Sequence, residues 1–274
     1  MASSADRMEG HGAELWQRII VAVPALIVAV LLIDYGGLPF SALLILLGIA
    51  CLHELFQMFD EVGPVRLAGF IGLVGMILAA YYGSDRSTYY LMIALCASFP
   101  LVFFFGALQV HTTALGWAVT IFGLVWIGVA LGHAQLLREL PHGVAAIVTI
   151  LAGVFVGDSV AYSGGKAFGR NPLAPSISPN KTIEGLILGM VGAVTAVWVA
   201  GLYQDWITGI DALILGACIA VTAPLGDLFE SYIKRQVGTK DTGKLFGAHG
   251  GALDRLDAVL FAAVVGYYMW ITLL

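Results

Sequence analysis

Long, unbroken apolar runs are the feature that most limits how this chain can fold. The sequence of 274 residues is 59% hydrophobic and only 11% charged, whereas soluble domains carry about 25% charged residues. A soluble chain of this length cannot hide so much apolar surface, because a folded protein must still coat itself with polar groups. A bilayer removes that requirement, so the composition predicts an integral membrane protein.

The apolar runs are continuous rather than alternating, which favours helices over the strands of a barrel. Since a helix needs about 20 apolar residues to cross the hydrocarbon, we predict an all-α membrane bundle of about nine transmembrane helices. Polar residues 1–14 precede the first run without a cleavage motif at its end, so we expect no cleavable signal peptide. The predicted spans are 17–33, 39–58, 67–83, 88–108, 115–132, 143–163, 183–203, 209–226 and 255–274.

The thirteen basic residues are distributed unevenly over the predicted loops. If the N-terminus is cytoplasmic, only Arg86 and Arg138 lie on the opposite side, and cytoplasmic loops are the ones enriched in lysine and arginine. We therefore expect a multi-pass protein of a bacterial-type inner membrane, with its N-terminus and its site in the cytoplasm. The residues on the cytoplasmic side are Arg7, Arg18, Arg66, Lys166, Arg170, Lys181, Lys234, Arg235, Lys240, Lys244 and Arg255.

Polarity outside the apolar runs is concentrated in the second half of the chain. We divide the sequence into N-terminal membrane helices over residues 1–142, with about five spans, and a C-terminal catalytic membrane domain over residues 143–274. Most predicted loops are short. The two long ones, 164–182 and 227–254, both belong to the second region and both fall on the predicted cytoplasmic side.

Carboxylates in the last long loop are spaced as if to share helix faces. If residues 224–235 continue a helix, the polar side chains at positions 227, 230, 231 and 234 lie on one face, since they follow an i, i+3, i+4, i+7 pattern. Asp254 and Asp257 share a face on the opening turn of the last span. Two carboxylate-bearing helix ends at a membrane boundary are well suited to Mg²⁺, which prefers carboxylate and phosphate oxygens.

Basic residues and glycines alternate with these carboxylates. Lysine and arginine neutralise a triphosphate, and glycines allow backbone N–H groups to approach phosphate closely. The alternative is an ordinary basic loop with helix-capping aspartates. His249 either donates to a phosphate oxygen or orders the glycine turn. The basic residues are Lys234, Arg235, Lys240 and Lys244, and the glycines are Gly238, Gly243, Gly247, Gly250 and Gly251.

The first long loop offers cations and hydroxyl groups. Lys166, Arg170 and Lys181 are candidate anion contacts, and Ser178 and Thr182 are candidate donors. Thr182 also has an alternative role, in which it caps the next helix with help from Glu184. Just before this loop, Asp158 and Tyr162 lie near the cytoplasmic end of the sixth span, where an ionisable residue is a candidate for function. His53 and Glu54, near the end of the second span, either border the site or reach water.

The last long loop resembles the signature of the phosphatidate cytidylyltransferase family. The matching residues are Ser231-x-Ile233-Lys234-Arg235-x4-Lys240-Asp241-x-Gly243-x2-Phe246-Gly247-x-His249-Gly250-Gly251-x2-Asp254-Arg255-x-Asp257. The sequence departs from the family at Gly247-Ala248, where Pro-Gly is common. The first long loop resembles the family's second block through Asp158-x3-Tyr162-x3-Lys166-x2-Gly169-Arg170 and Ser178-Pro179-x-Lys181-Thr182-x-Glu184-Gly185. The resemblance covers about residues 153–257, and the first five spans match only in hydropathy.

The resemblance implies transfer of the cytidylyl group of CTP to phosphatidic acid, which yields CDP-diacylglycerol and pyrophosphate. It implies Mg²⁺ as cofactor with a second cation beside it, no nucleic-acid partner, and a homodimer. The expected metal ligands are Asp227, Glu230, Asp254 and Asp257. The expected catalytic residues are Asp227, Lys234, Arg235, Asp254 and Asp257. The expected substrate-binding residues are Asp158, Tyr162, Lys166, Arg170, Ser178, Lys181, Thr182, Glu184, Ser231, Lys240, Asp241, His249, Gly250 and Gly251.

Two other functions compete with this interpretation. Another membrane CTP-dependent transferase, acting on an isoprenoid-ether lipid or a polyprenol, would use nearly the same chemistry. A cation or phosphate transporter could use Asp158, Asp227 and Asp254 along a pathway, but it predicts charged residues at mid-membrane in both halves. The charges of this sequence gather at one predicted face, which favours a site open to a single compartment.

Overall fold

A computed structural model describes residue 24 and residues 27–243 and 250–273, and these are almost entirely helical. Residues 27–35 form a helical segment that precedes the first helix with defined bounds. The helices are α1 (Gly37–Met58), α2 (Arg66–Tyr82), α3 (Ser87–Ala107), α4 (Ala114–Gly123), α5 (Val129–Glu139), α6 (Gly143–Phe168), α7 (Ile183–Gly201), α8 (Gly209–Gln236) and α9 (Leu253–Leu273). A π-helical turn, Leu124–Gly128, joins α4 to α5, and strands β1 (Pro172–Ala174) and β2 (Ser178–Thr182) lie between α6 and α7.

The all-α prediction is confirmed, whereas the count of about nine spans is not. Within the described residues, seven helical stretches are long and apolar enough to cross a membrane, and α4 and α5 form one of them. Helix α2 is also apolar but has only 17 residues. The predicted span 17–33 lies largely outside the described residues.

Two helices continue further than hydropathy predicts. Helix α8 extends to Gln236, so the first part of the predicted loop 227–254 is helical. Helix α6 extends to Phe168, past the predicted end at 163. The added residues of α8 are largely polar, and those of α6 are two glycines followed by Lys166, Ala167 and Phe168. A hydropathy pattern stops at such residues, although the helix continues beyond them.

A small antiparallel hairpin fills the rest of the first long loop. Strands β1 and β2 pair with Pro172 opposite Thr182 and Ala174 opposite Ser178, with an irregularity between the pairs. The connecting turn is closed by the Ile177 N–H, which donates to the Ala174 carbonyl at 3.0 Å. Pro175 occupies the second position of this turn, where its fixed φ is favourable.

Helices α6 and α7 are held together by small residues at four-residue intervals. A Cβ added to Gly157 would lie 3.0 Å from the Ala193 Cβ, and one added to Gly189 would lie 2.6 Å from the Ala161 Cβ. Close approach of this kind is how membrane helices gain packing contacts, since lipid provides no hydrophobic force between them. The hairpin is therefore supported by a tightly packed helix pair.

Helices α8 and α9 also meet at a glycine. A Cβ on Gly226 would lie 2.5 Å from the Asp257 carbonyl oxygen. This contact places Asp227, the next residue on α8, beside the first turn and a half of α9. The end of α1 reaches the same end of the bundle, where Leu52, Leu55 and Phe56 are fully buried. The two long loops and the end of α1 thus converge.

Candidate active site

A cavity of about 800 Å³ opens between α6, α7, α8 and the hairpin. Its polar part lies next to the hairpin, and small residues of the helix pair line its deeper part. The polar lining residues are Asp158, Ser159, Tyr162, Lys166, Ser178, Asn180, Lys181, Thr182 and Asp227. The deeper lining includes Gly153, Gly157, Gly189, Ala193 and Ala220. A single space therefore offers polar contacts at one end and an apolar groove at the other.

Asp227 lies at the polar end of the cavity and forms an ion pair with Lys181 of β2. Both side chains are a little over a quarter exposed. Asp158 and the buried Asp257 lie within electrostatic reach of Asp227. Three carboxylates from three helices are thus near one another, and their mutual repulsion favours the approach of a cation.

Lys234 is held between two carboxylates of the α8–α9 interface. Its Nζ lies 2.6 Å from Glu230 Oε2 and 2.7 Å from Asp254 Oδ1. Glu230 is only 1% exposed, and among the described residues its Oε1 has no hydrogen-bond partner. Lys234 does not line the cavity. Its charge balances buried acids, which is a necessary condition for burying them at all.

Asp254 accepts backbone hydrogen bonds at the start of α9. The N–H of Gly251 donates to Asp254 Oδ2 at 2.8 Å and that of Thr242 donates at 3.2 Å. Asp254 is therefore a helix-capping aspartate, as one of the two interpretations of this loop predicted. Its carboxylate also accepts a hydrogen bond from Lys234. Asp257, one turn later, accepts from the N–H of Ala258 at 2.7 Å.

Hydrogen bonds join the hairpin to the helices on either side. Arg235, expected to contact a triphosphate, donates from Nε to the Ile177 carbonyl at 3.0 Å and from a terminal nitrogen to the Thr239 carbonyl at 3.2 Å. Glu184 accepts from the backbone N–H groups of Arg170 and Asn171. These contacts give Arg235 and Glu184 a role in holding the loop.

The expected capping role of Thr182 is confirmed. Its hydroxyl accepts from the Gly185 N–H at 3.1 Å at the start of α7. This is an N-cap bond, which satisfies one of the free amides of the first helical turn. Thr182 also lines the cavity, so the capping role and a role in binding are not exclusive.

The remaining predicted residues are distributed around this centre. Tyr162 borders the cavity with 73% of its surface exposed, whereas Ser231 is buried behind Asp227. Lys240 and Asp241 are exposed after the end of α8. Gly250 has φ +85°, a conformation that favours glycine. His249 and Lys244 lie outside the described residues.

The carboxylates at this site are suited to an Mg²⁺ ion that is also bound by substrate phosphates. Among residues 27–243 and 250–273, no three His, Cys, Asp or Glu side chains form a ready-made metal site. Mg²⁺ is, however, usually bound by one or two carboxylates, with water and substrate phosphates as the other ligands. Asp227 and the neighbouring Asp257 fit that pattern, so the residues present are compatible with an ion that binds together with a polyphosphate.

Sequence reasoning left open whether Glu54 borders the site or reaches water, and the structure places it beside the signature glycines. The residue is 3% exposed and accepts hydrogen bonds from Thr242, Ala252 and Leu253, on both sides of the signature glycines. The signal available was an ionisable residue within an apolar run, which is uncommon without a function. Its partners are almost 200 positions away, and no periodicity connects them. The neighbouring His53 is exposed.

Comparison with known proteins gives a consistent family assignment. The family model described as the cytidylyltransferase family matches residues 16–273. A phosphatidate cytidylyltransferase of Brucella melitensis biotype 1 is 32% identical, with 93% of each chain covered. The enzyme of the same name from Bacillus subtilis (strain 168) is 31% identical, over 93% of this chain and 97% of its own. An uncharacterized protein of Escherichia coli (strain K12), YnbB, is 34% identical over 85% of this chain and 68% of its own.

The match covers both regions of the chain, including the helices before residue 143 that resemble the family only in hydropathy when considered alone. The first long loop lines the cavity, and Asp227 of the second joins it there through Lys181, whereas the described signature residues from Ser231 onward do not line the cavity. The chain therefore belongs to the cytidylyltransferase family and is a nucleotidyltransferase of membrane phospholipid metabolism.

Proposed function

We propose that the protein is a phosphatidate cytidylyltransferase, which converts CTP and phosphatidic acid into CDP-diacylglycerol and pyrophosphate. The observation that carries the proposal is the cavity between the first long loop and Asp227, with charged groups at one end and a groove of small residues at the other. A lipid phosphate has a matching division between a charged head and apolar chains. The relatives named phosphatidate cytidylyltransferase, which cover most of the chain, support the choice of lipid.

The reaction places modest demands on acid–base chemistry. An oxygen of the lipid phosphate attacks the α-phosphorus of CTP and forms a new P–O bond. The bond from the α-phosphorus to the bridging oxygen breaks, and pyrophosphate leaves with the electron pair. Because the nucleophile is already anionic, the main obstacle is to bring two polyanions together and to stabilise charge on the oxygens in line.

The residues at the polar end of the cavity are assigned roles on that basis. Lys166 and Lys181 provide fixed positive charge for phosphate oxygens, and Ser178 offers a hydroxyl donor. Asp227 holds Lys181 in place before substrate arrives. Lys234 keeps Glu230 and Asp254 neutralised, so that the α8–α9 interface stays closed behind the site.

Mg²⁺ is the proposed cofactor, and a second cation beside it is a further proposal. When bound, such an ion neutralises phosphate charge and orients the leaving pyrophosphate. Asp227 and Asp257 are the residues proposed to hold it, and Glu230 and Asp254 surround them. The buried carboxylates of this group explain why a cation from solution would be favoured.

The membrane arrangement follows from the substrates. CTP is a soluble cytoplasmic nucleotide and the lipid stays in the bilayer, so the two substrates meet at the inner boundary. The proposed topology has nine spans with the hairpin and the signature loop in the cytoplasm, which agrees with the lysine and arginine distribution. A homodimer stays a prediction.

The test is the identity of the lipid product. Purified protein in vesicles receives CTP labelled at the α-phosphorus, magnesium, and equimolar phosphatidic acid, isoprenoid-ether phosphatidic acid and polyprenyl phosphate. We expect most of the label in CDP-diacylglycerol, with one pyrophosphate released for each product molecule. Preferential labelling of another lipid would transfer the assignment to that substrate, and label uptake without pyrophosphate would rule out the reaction.

A further inference from the structure

Glu54 of α1 joins the two sides of the signature loop from a helix that is distant in sequence. Its Oε2 accepts from the Thr242 hydroxyl and from the Leu253 N–H, and its Oε1 accepts from the Ala252 N–H, each at 2.9 Å. Thr242 lies before the undescribed residues 244–249, and Ala252 and Leu253 follow them. All three partners donate, so both oxygens of the carboxylate act as hydrogen-bond acceptors.

Two signature glycines make room for this carboxylate. A Cβ on Gly243 would lie 2.5 Å from Glu54 Oε1. A Cβ on Gly251 would lie 2.3 Å from Glu54 Oε2 and 2.2 Å from Thr242 Oγ1. The sequence alone suggested that these glycines allow phosphate to approach, whereas the structure shows that they allow Glu54 to approach. Any side chain at either position would displace the carboxylate.

Glu54 and Asp254 together accept from the amides of residues 251–253, at and just before the start of α9, and Asp254 also accepts from the earlier Thr242. Glu54 accepts from the N–H groups of Ala252 and Leu253, and Asp254 accepts from those of Thr242 and Gly251. The first amides of a helix have no partner within the helix and need one from elsewhere. The direction in which α9 begins is thus set by a residue of α1, and Asp257 lies in the same first turns.

We propose that Glu54 is a positioning residue of the transfer site, a helix cap supplied by another helix that fixes the start of α9 and with it Asp254 and Asp257. Glu54 itself touches no substrate. The inference rests on the proposed function, because positioning matters only if those aspartates serve the reaction. It adds a requirement in the N-terminal helices for a site whose other residues all belong to the C-terminal region.

The first test replaces Glu54 with glutamine, with Glu61→Gln as control. Glu61 is an exposed carboxylate in the short helical turn Asp60–Val62, at the same end of the bundle. Glu54→Gln keeps the shape but points an amide NH₂ at a donor. We expect kcat to fall about tenfold, as for the loss of a hydrogen bond to a charged group, with a KM for CTP within about threefold of wild type. Hydrogen exchange at residues 251–257 should become faster, while Glu61→Gln behaves as wild type.

The second test changes the partner of Glu54 in case the glutamine variant does not fold. Thr242→Ser keeps the hydroxyl and Thr242→Val removes it at nearly constant volume. We expect the serine variant to match wild type in kcat. We expect the valine variant to have a kcat about tenfold lower, as for the loss of one hydrogen bond to a charged group. Equal rates for the two would overturn the proposal.

A double-mutant cycle separates positioning from general damage. Gly243→Ala should slow the wild type strongly, because its methyl group collides with Glu54. In the Glu54→Ala background the same change should add less than about twofold, since the collision partner is gone. Additive effects, or wild-type kcat and exchange in Glu54→Gln, would contradict the role. If wild type makes no CDP-diacylglycerol, the proposed function fails, while the exchange measurement still decides whether Glu54 fixes α9.

Discussion

Two groups of carboxylates meet at one end of the bundle and differ in what surrounds them. The anchored carboxylates, Glu54 and Asp254, accept hydrogen bonds from backbone N–H groups, a hydroxyl and a lysine. The clustered carboxylates, Asp158, Asp227 and Asp257, lie within reach of one another's charge, with Lys181 paired to Asp227. The carboxylates of the first group have hydrogen-bond donors from the fold, whereas those of the second group have other negative charges close by.

This difference distinguishes carboxylates that stabilise the fold from carboxylates that serve the reaction. A carboxylate with several donors stabilises the segment that provides them, and its removal leaves those donors unpaired. A cluster of like charges destabilises the fold and persists only where a bound cation or substrate offsets it. We therefore expect the anchored carboxylates to affect stability and rate together, and the clustered carboxylates to affect rate with little loss of stability.

The largest expected effect is that of Asp227→Asn. Loss of a charge that holds Lys181 and a cation at the cavity should lower kcat by about 100-fold or more, as for removal of one electrostatic contact in other enzymes. The melting temperature should stay within about 2 °C, because removal of the charge also relieves repulsion. Initial rates and a thermal unfolding scan in detergent check both. Asp60→Asn, an exposed carboxylate at the same end of the bundle, is the control, and a large drop in melting temperature for Asp227→Asn would break the comparison.

Asp254→Asn should lose both activity and stability. The asparagine leaves Lys234 with Glu230 alone and weakens two backbone contacts. We expect kcat to fall by at least tenfold and the melting temperature by several degrees, since a hydrogen bond to a charged group contributes about 1.5–3 kcal/mol. Initial rates and a thermal unfolding scan in detergent measure these two effects. An inactive variant with unchanged thermal stability would move Asp254 from the anchored group to the clustered one.

Lys181→Met should act mainly on substrate binding. Without Lys181 the polar end of the cavity loses a cation that phosphate needs, so we expect the KM for CTP to rise about tenfold, as for one lost charge-assisted contact. Arg86→Met, at an exposed position at the opposite end of the bundle, serves as control. Steady-state kinetics at saturating lipid give the answer, and an unchanged KM would mean that the nucleotide does not use this end of the cavity.

The smallest effect is expected for Arg235→Lys. The lysine keeps the charge but cannot reproduce the two contacts to the Ile177 and Thr239 carbonyls. We expect kcat within about threefold of wild type and faster protease cleavage within residues 172–182. If this variant instead loses activity as severely as Asp227→Asn, Arg235 contacts substrate and does more than fasten the hairpin.

Hydropathy and spacing predicted the parts of this molecule that depend on local sequence. The helical bundle and the cap at Thr182 each follow from residues within a few turns of one another. The spacing of polar residues allowed for the continuation of α8 past Asp227, which lay outside the span that hydropathy predicted. The hairpin was not predicted because its strands are only three and five residues long and lack alternation. The partners of Glu54 were not predictable either, since a buried polar contact between distant segments leaves no periodic trace.

The sequence predicted which residues belong to the site better than it predicted where each of them lies. Residues of the first loop and Asp227 of the second line one cavity, whereas the described residues from Ser231 onward do not. Arg235, Glu184 and Asp254 hold backbone groups instead. A motif identifies which residues matter, and it does not separate those that touch substrate from those that shape the loop, because both kinds are required at fixed positions.

The central claim is that the two long loops, through the hairpin and Asp227, bind one nucleotide at the cavity. Hydrogen exchange measured with and without magnesium and CTP tests it without relying on turnover. We predict slower exchange in residues 164–185 and 224–243 together, and no change at residues 84–88 and 138–145 at the opposite end of the bundle. Protection of only one loop, or of the opposite end, would contradict the account.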